Sequence, residues 1–336
     1  MKAWQLQAFG RKNLSLNDIP EPTPGSGEAL VRIASVSLNY RDKLIYDGLY
    51  NPDLQFPITQ VADAVGEIVA LGLGTTRFKV GDRVVTNYCT RWIDGAPQFK
   101  ESLHTLGNTI PGALAEYLVL SENALAAVPA YLTDDEAASI PCAGLTAWYA
   151  LVEQGGLAAG QTVLLQGTGG VSLFGLQIAA ALGATTILTS SSDEKLERAK
   201  SLGAHHTINY RRTPAWQDEA LALTGQKGVD HILEVVGGAS VARSVDALNA
   251  SGQISVIGII EGFESTIPLF GLILKQAVLR GISVGPLRAL ERMLHKFDEV
   301  QLHPVIDTVY SFAEARKAFD HLERGAFGKI VIRVRE

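Results

Sequence analysis

A chain of 336 residues, 47% hydrophobic and 19% charged, carries apolar material for two soluble domains rather than one. Its formal net charge of -6, with no basic run in either half, argues against a nucleic-acid or anionic-membrane partner. The two cysteines, Cys89 and Cys142, lie in separate segments and form no ligand cluster, which suits a reduced, cytoplasmic setting. The polar start MKAWQLQAFG does not read as a signal peptide, and no apolar stretch reaches the length of a membrane span.

Residues 1–125 consist of short alternating segments punctuated by glycine and proline. Strands are predicted at Ala29–Ile33, Ala64–Val69, Gly81–Val85 and Ala115–Val119, the pattern of an antiparallel, barrel-like domain. Residues 86–112 are polar and without periodicity, and Trp92, Phe99 and His104 there either line an entrance or anchor the loop. From residue 126 helix and strand alternate. Helices are predicted over Asp134–Ala138 and Leu145–Gln154. Strands follow at Val163–Leu165, Ala184–Thr189, Thr207–Ile208, Val229–Leu233, Gln253–Ile257 and Gly281–Val284, so residues 126–285 read as a doubly wound parallel sheet. Residues 286–336 add helices and short strands at Val305–Ile306 and Lys329–Val334 that return to the first domain. The fold class is α/β, a parallel sheet of Rossmann type joined to a mainly β, barrel-like domain made of 1–125 and 286–336. The last sheet strand, Arg280–Val284, lies at an open edge, and an apolar edge of this kind invites a second copy of the chain, so a homodimer is expected.

The densest functional signal is LLQGTGGVSLFGLQIAAALGA at 164–184. Gly167 and Gly169 fill the first two slots of G-x-G-x-x-G, Gly170 adds conformational freedom, Val171 begins the apolar face of a helix, and Ser172 takes the third slot. Strand, glycine turn and helix in that order present free backbone N–H groups to a pyrophosphate. The plain alternative is a strand–turn–helix with no ligand. About 20 residues downstream, an NAD site places an acid on the ribose 2′-hydroxyl. Here that place falls on Ser190, with Lys195 close behind. A missing carboxylate and a nearby cation favour a 2′-phosphate, and so NADP(H) over NAD(H). The bland alternative makes Ser191 and Glu194 a capping box and Lys195 a solvated surface residue.

The segments SLNYRD (37–42), GDRVV (81–85), IPCAGLTAWYAL (140–151), GTGGVSLFGLQIA (167–179), AKSLGAHHTINY (199–210) and GKIVI (328–332) together resemble the medium-chain dehydrogenase/reductase superfamily. Within it they resemble most the quinone oxidoreductase, zeta-crystallin-like branch. The resemblance implies a GroES-like catalytic domain, a dinucleotide-binding domain and a cleft between them. Zinc-dependent members hold a catalytic zinc with a cysteine, the histidine of a GHE segment and a second cysteine. Asn39 stands in the first of those places and Ala62 in the second, leaving Cys142, and one thiolate does not hold a catalytic zinc. The four-cysteine structural lobe is absent too, since residues 86–112 hold only Cys89. No zinc is expected.

The resemblance also places Tyr50 near the nicotinamide, Thr146 beside it, Tyr210 near the adenosine phosphate, and Gly237 and Gly258 after sheet strands that face the cofactor. Lys329 either reaches a phosphate or is a surface lysine. Without a metal, other donors must meet the charge that develops on a substrate oxygen. Asn39 and Tyr50 are the candidates, with Asp42 ranked behind them; their plain readings are a cap residue, a rim or core aromatic, and a structural acid. The expected activity is NADP(H)-dependent hydride transfer to a small quinone, enone or enal. Two alternatives stay open: a zinc-free alcohol dehydrogenase or aldehyde reductase, and an NADPH-binding module without turnover.

Overall fold

The computed structural model describes residues 1–335, the side chains of 101 and 102 excepted. It divides into two compact units, Met1–Leu145 with Val284–Glu336, and Thr146–Ser283. Residues 126–145, expected in the nucleotide-binding domain, therefore belong with the first unit. The reason is local: β6 (Arg83–Thr86) pairs antiparallel with β8 (Leu125–Ala127), and Arg83 also binds Asp134 and the Leu132 carbonyl.

In the first unit the remaining strands before residue 145 are β1 (Lys2–Leu6), β2 (Leu14–Asp18), β3 (Glu28–Ser37), β4 (Ile58–Thr59), β5 (Asp63–Leu71) and β7 (Tyr117–Ser121). The second unit holds β9 (Thr162–Gln166), β10 (Thr185–Ser190), β11 (His206–Asn209), β12 (Val229–Glu234), β13 (Leu248–Val256) and β14 (Val278–Gly281). The chain then returns to the first unit for β15 (Ile306–Ser311) and β16 (Lys329–Arg333).

The first unit is built on a seven-stranded sheet of order β15-β16-β3-β5-β6-β8 with β7 added against β3, beside a small β2-β1-β4 sheet. The long strand β3 is its axis, pairing with β5, β7 and β16, which is how residues from both ends of the chain meet. Gly66 on β5 permits the close approach of β3, because a Cβ there would stand 2.3 Å from the Arg32 carbonyl oxygen.

The second unit is a six-stranded, all-parallel sheet of order β11-β10-β9-β12-β13-β14. That is the strand order of a dinucleotide-binding sheet with its switch point between β9 and β12. Leu164, Ile187, Ile208, Ile232 and Ile254, one from each of five neighbouring strands, form its buried core with Trp216. The edge strand β14 begins and ends earlier than the expected 280–284. The helix expected over Leu145–Gln154 is a helix at Ala143–Trp148 followed by one π-helical turn, Tyr149–Glu153, closed by Gln154 N–H on the Tyr149 carbonyl at 2.9 Å. Such turns mark a helix that has taken in an extra residue.

Candidate cofactor and active site

In the second unit β9 ends at Gln166 and the helix Gly170–Ala181 starts after a turn in which Gly167 has φ 75°. A left-handed φ is inexpensive only for glycine, so the first motif position follows from backbone geometry. The first N–H to find an acceptor in this helix is that of Leu173, on the Gly169 carbonyl at 3.0 Å, so those of Gly170, Val171 and Ser172 precede the ladder. No atom lies within 4 Å of where a Cβ would stand at Gly167 or Gly169, which leaves open space over those amides. A helix N-terminus with uncommitted N–H groups and no side chain in front of it fits a pyrophosphate.

The third motif slot is answered differently from its usual glycine. Ser172 is buried and donates its hydroxyl to the Gln166 carbonyl at 2.6 Å, tying the helix to the end of β9. Close helix–sheet contact is instead supplied one turn later by Gly175, where a Cβ would stand 2.6 Å from Leu233 Cδ1 and 2.8 Å from Leu165 Cδ2. Gly237 and Gly258 have structural reasons to be glycine. A Cβ at Gly258 would lie 1.9 Å from the Val235 carbonyl oxygen, and one at Gly237 2.9 Å from that of Gly258. The loops after β12 and β13 thus touch backbone to backbone.

The sequence did not point to Glu234, which is fully buried at the end of β12. Its carboxylate accepts from the N–H of Val236 and Gly237, from Ser240 and Ser244, and from Gln166 Nε2 at 2.8 Å. This satisfied network fixes the loop after β12 against the end of β9. A lone acid in the apolar run ILEVV was the available signal.

Ser190 and Tyr210 lie side by side at the ends of β10 and β11, the Tyr210 N–H bonding the Ser190 carbonyl at 3.1 Å. Ser190 Oγ accepts the Ser192 N–H. The cap of the following helix is Ser192, whose hydroxyl accepts the Lys195 N–H at 3.3 Å, rather than Ser191. Asp193, a carboxylate in the same turn, is held by Asn209 and paired with Arg212. The acid nearest to Ser190 in sequence thus has its own counter-ion.

The first unit gathers a second cluster around the helix Tyr40–Tyr46. Asn39 is its N-cap residue, and Asp42, fully buried, accepts the Asn39 N–H at 2.8 Å and Arg41 Nη1 at 3.3 Å. Burial raises the Asp42 carboxyl above the usual range, opposed by Arg41 and that N–H. Asp42 is therefore committed to the cap and to Arg41, the structural role its sequence position also allowed.

Lys329 is buried rather than at the surface. It is 3% exposed, and its Nζ donates to Asn39 Oδ1 at 2.6 Å and to the Leu38 carbonyl at 2.8 Å, with Asp63 Oδ2 at 3.6 Å. A lysine carries only donors, so its contact fixes which end of the Asn39 amide is oxygen. The Asn39 Nδ2 is left facing Asp63 without closing a well-formed hydrogen bond. Burial pushes Asp63 up to about 6, with Lys329 and the Asn39 amide pulling the other way. Cys142 donates its N–H to Asp63 at 3.2 Å, and burial first, then Asp63, raises its thiol far above the ordinary range.

Tyr50 is 40% exposed, and its hydroxyl lies 2.7 Å from that of Tyr88, which is 3% exposed. The Arg41 guanidinium stacks on both rings, 5.3 Å from the Tyr50 centroid and 4.9 Å from that of Tyr88. Arg41 Nε and Nη2 have no partner. Tyr88 escaped the sequence reading because it sits in the unpatterned 86–112 stretch. In that stretch Trp92 is an anchor, buried with its indole on the Gly95 carbonyl, whereas Phe99 is 79% exposed. Thr146 is buried at the start of the second unit. Among the described residues no group of three His, Cys, Asp or Glu side chains is placed to hold a metal ion.

Two family models match, an alcohol dehydrogenase GroES-like domain over residues 25–130 and a zinc-binding dehydrogenase over 170–299. A zinc-type alcohol dehydrogenase-like protein of Schizosaccharomyces pombe is 40% identical over 98% of this chain and 97% of its own. The chain belongs to the medium-chain dehydrogenase/reductase superfamily. Among solved structures, a putative alcohol dehydrogenase from Sinorhizobium meliloti aligns with TM-score 0.94 at 47% identity, covering 99% of this chain and 98% of that one. Two mycobacterial structures, one of a quinone oxidoreductase and one complexed with NADPH, each align with TM-score 0.82 at 26% identity over 99% of this chain and 100% of theirs. This member of the superfamily is an NAD(P)-dependent oxidoreductase of the alcohol dehydrogenase and quinone oxidoreductase type.

Proposed function

We propose that the protein is a zinc-independent, NADP(H)-dependent reductase of small quinones or α,β-unsaturated carbonyls. The observation that carries the reading is the Lys329 ammonium bonded to Asn39 Oδ1 beside Asp63. In this superfamily Asn39 stands where zinc-dependent members place a cysteine ligand, and here that side chain is clamped by a cation of the protein's own. A second cation bound at the same side chain would meet direct repulsion from this ammonium.

The bound reduced nicotinamide supplies the hydride. The residues supply the electrophilic side. Tyr50, the exposed member of the tyrosine pair, offers a hydroxyl to the substrate oxygen, and Asn39 Nδ2, buried and facing Asp63, is the second donor in this reading. Neutral donors of this kind suit a charge spread over an enolate or a hydroquinone better than a localised alkoxide. Arg41 and Lys329 are matched in the cluster by Asp42 and Asp63, whose carboxyls are both raised by burial. On the cofactor side Ser190, Tyr210 and Lys195 form the 2′-phosphate end, supported by the pairing of Asp193 with Arg212.

The test is NADPH oxidation with enones, quinones and saturated aldehydes of matched size, alongside elemental analysis of the purified protein. Faster turnover of the conjugated acceptors with well under one zinc per chain is the expected result. Preference for saturated aldehydes replaces the reading with a zinc-free alcohol dehydrogenase. Tight NADPH binding without turnover of any acceptor leaves a binding module.

A further inference from the structure

We infer that Tyr88 and Arg41 make Tyr50 the proton donor of the reaction, with Tyr88 acting as a positioning residue that frees the Tyr50 hydrogen and receives the phenolate. The inference rests on the reductase reading above and assigns roles to two residues outside its donor pair.

Two hydroxyls lie 2.7 Å apart and either is able to donate. Tyr88 is 3% exposed, and among the described residues its hydroxyl has no acceptor other than Tyr50. A buried O–H left without an acceptor costs on the order of 1–3 kcal/mol. Tyr88 therefore donates to Tyr50. The hydrogen of Tyr50, a residue 40% exposed, is then left over and directed away from Tyr88.

The same geometry supports the anion that forms when this hydrogen leaves. The Tyr88 O–H already points at the Tyr50 oxygen, so it meets the phenolate without rearrangement. The Arg41 guanidinium faces both rings, and two of its nitrogens have no partner, so Asp42 consumes only part of its charge. Asp42 helps hold Arg41 protonated against the cost of burial, and burial keeps the Tyr88 phenol itself far above its ordinary range. Tyr88 thus stays a donor throughout, and only Tyr50 changes charge.

For an enone the step balances as follows. The β-carbon gains a hydride as NADPH becomes NADP⁺, and the resulting enolate takes the proton of Tyr50. The Tyr50 O–H bond breaks, its electron pair stays on the phenolate oxygen, and water returns a proton to that exposed residue.

The experiment compares Tyr50→Phe, Tyr88→Phe and Arg41→Met with wild type. Tyr88→Phe removes one oxygen and is expected to lower kcat about 10- to 100-fold with KM for NADPH unchanged. It should also raise the solvent deuterium isotope effect, as proton delivery becomes limiting. Tyr50→Phe with added Tyr88→Phe should be no slower than Tyr50→Phe alone, because Tyr88 acts only through Tyr50. A second readout needs neither cofactor nor substrate. Nitration of Tyr50 by tetranitromethane proceeds through the phenolate, so at fixed pH it should slow in both Tyr88→Phe and Arg41→Met. Failure of wild type to oxidise NADPH with any acceptor would defeat the reductase reading. An active enzyme whose isotope effect and Tyr50 nitration are untouched by Tyr88→Phe would overturn this inference alone.

Discussion

Replacing Lys329 by methionine isolates the least expected feature of the proposed active-site cluster. The substitution keeps most of the apolar stem and removes the ammonium that bonds Asn39 Oδ1 at 2.6 Å and the Leu38 carbonyl at 2.8 Å and lies 3.6 Å from Asp63. Two buried acceptors lose a donor, at about 1 kcal/mol or somewhat more each, and a fully buried carboxylate loses its counter-ion, for which about 3–5 kcal/mol is usual. The second part depends on pH. In the wild type, burial raises Asp63 from 3.8 to about 6, so the folded state holds this proton more tightly than the unfolded chain. An acid raised in this way contributes most below its unfolded value and loses that contribution as pH climbs to its folded value, a cost of about 3 kcal/mol between roughly pH 4 and 6. Removing Lys329, which pulls Asp63 down, moves the folded value higher and extends the loss toward neutrality. The deficit of the Lys329→Met variant should therefore be smaller, about 2 kcal/mol, at pH 5 and about 5–7 kcal/mol at pH 8. Urea denaturation of wild type, Lys329→Met, Asp63→Asn and the double variant at both pH values reads this directly. Asp42, Arg41 and Cys142 also face the cluster, and the double variant separates Asp63 from them, since it should recover most of the deficit at pH 8. A deficit equal at the two pH values, or a double variant as weak as the sum of the singles, would refute the pairing.

Gly175→Ala should destabilise the second unit by about 1 kcal/mol, the strain of pushing Leu165 and Leu233 aside exceeding the gain in helix propensity; unchanged or raised stability in urea would remove the close-packing role. Ser190→Asp should weaken NADPH and narrow or reverse the preference over NADH, and Lys195→Ala should weaken NADPH alone, by about 1–3 kcal/mol in titrations of both nucleotides. Equal affinity of wild type for the two nucleotides would return Ser190 to a strand-end residue. The edge strand β14 has no partner on its outer side among the described residues, and Leu269, Phe270, Ile273 and Leu274 on the preceding helix are 66–72% exposed. Such a face predicts a symmetric homodimer, and Phe270→Glu with Ile273→Glu should yield monomers by sedimentation; a wild-type mass that is monomeric at every concentration contradicts it.

The second unit was largely legible because its signals are short in range. A glycine forced to φ 75° lies beside the helix it starts, and strands buried on both faces appear as apolar runs such as TVLLQ and TTILTS. Errors there are shifts of a residue or two, as with Ser192 for Ser191. The cluster around Asn39 and Tyr50 was less legible because its bonds are long in range. Asn39, Tyr50 and Asp42 were singled out from their own segment, yet what each does is set elsewhere: by Lys329, 290 residues from Asn39, and by Tyr88, 38 residues from Tyr50. Lys329 opens β16, whose first four residues are all buried, and a lysine at the start of an apolar run reads equally well as its exposed end. One clue to its burial was nevertheless present. Asp63 is a lone acid within the apolar run VADAV, and Lys329 a lone cation within FGKIVI. A charge that folds into an apolar layer needs an opposite charge in that layer. Two such solitary charges on strands that both pair with β3 have one arrangement that leaves neither unpaired, and it is the one found.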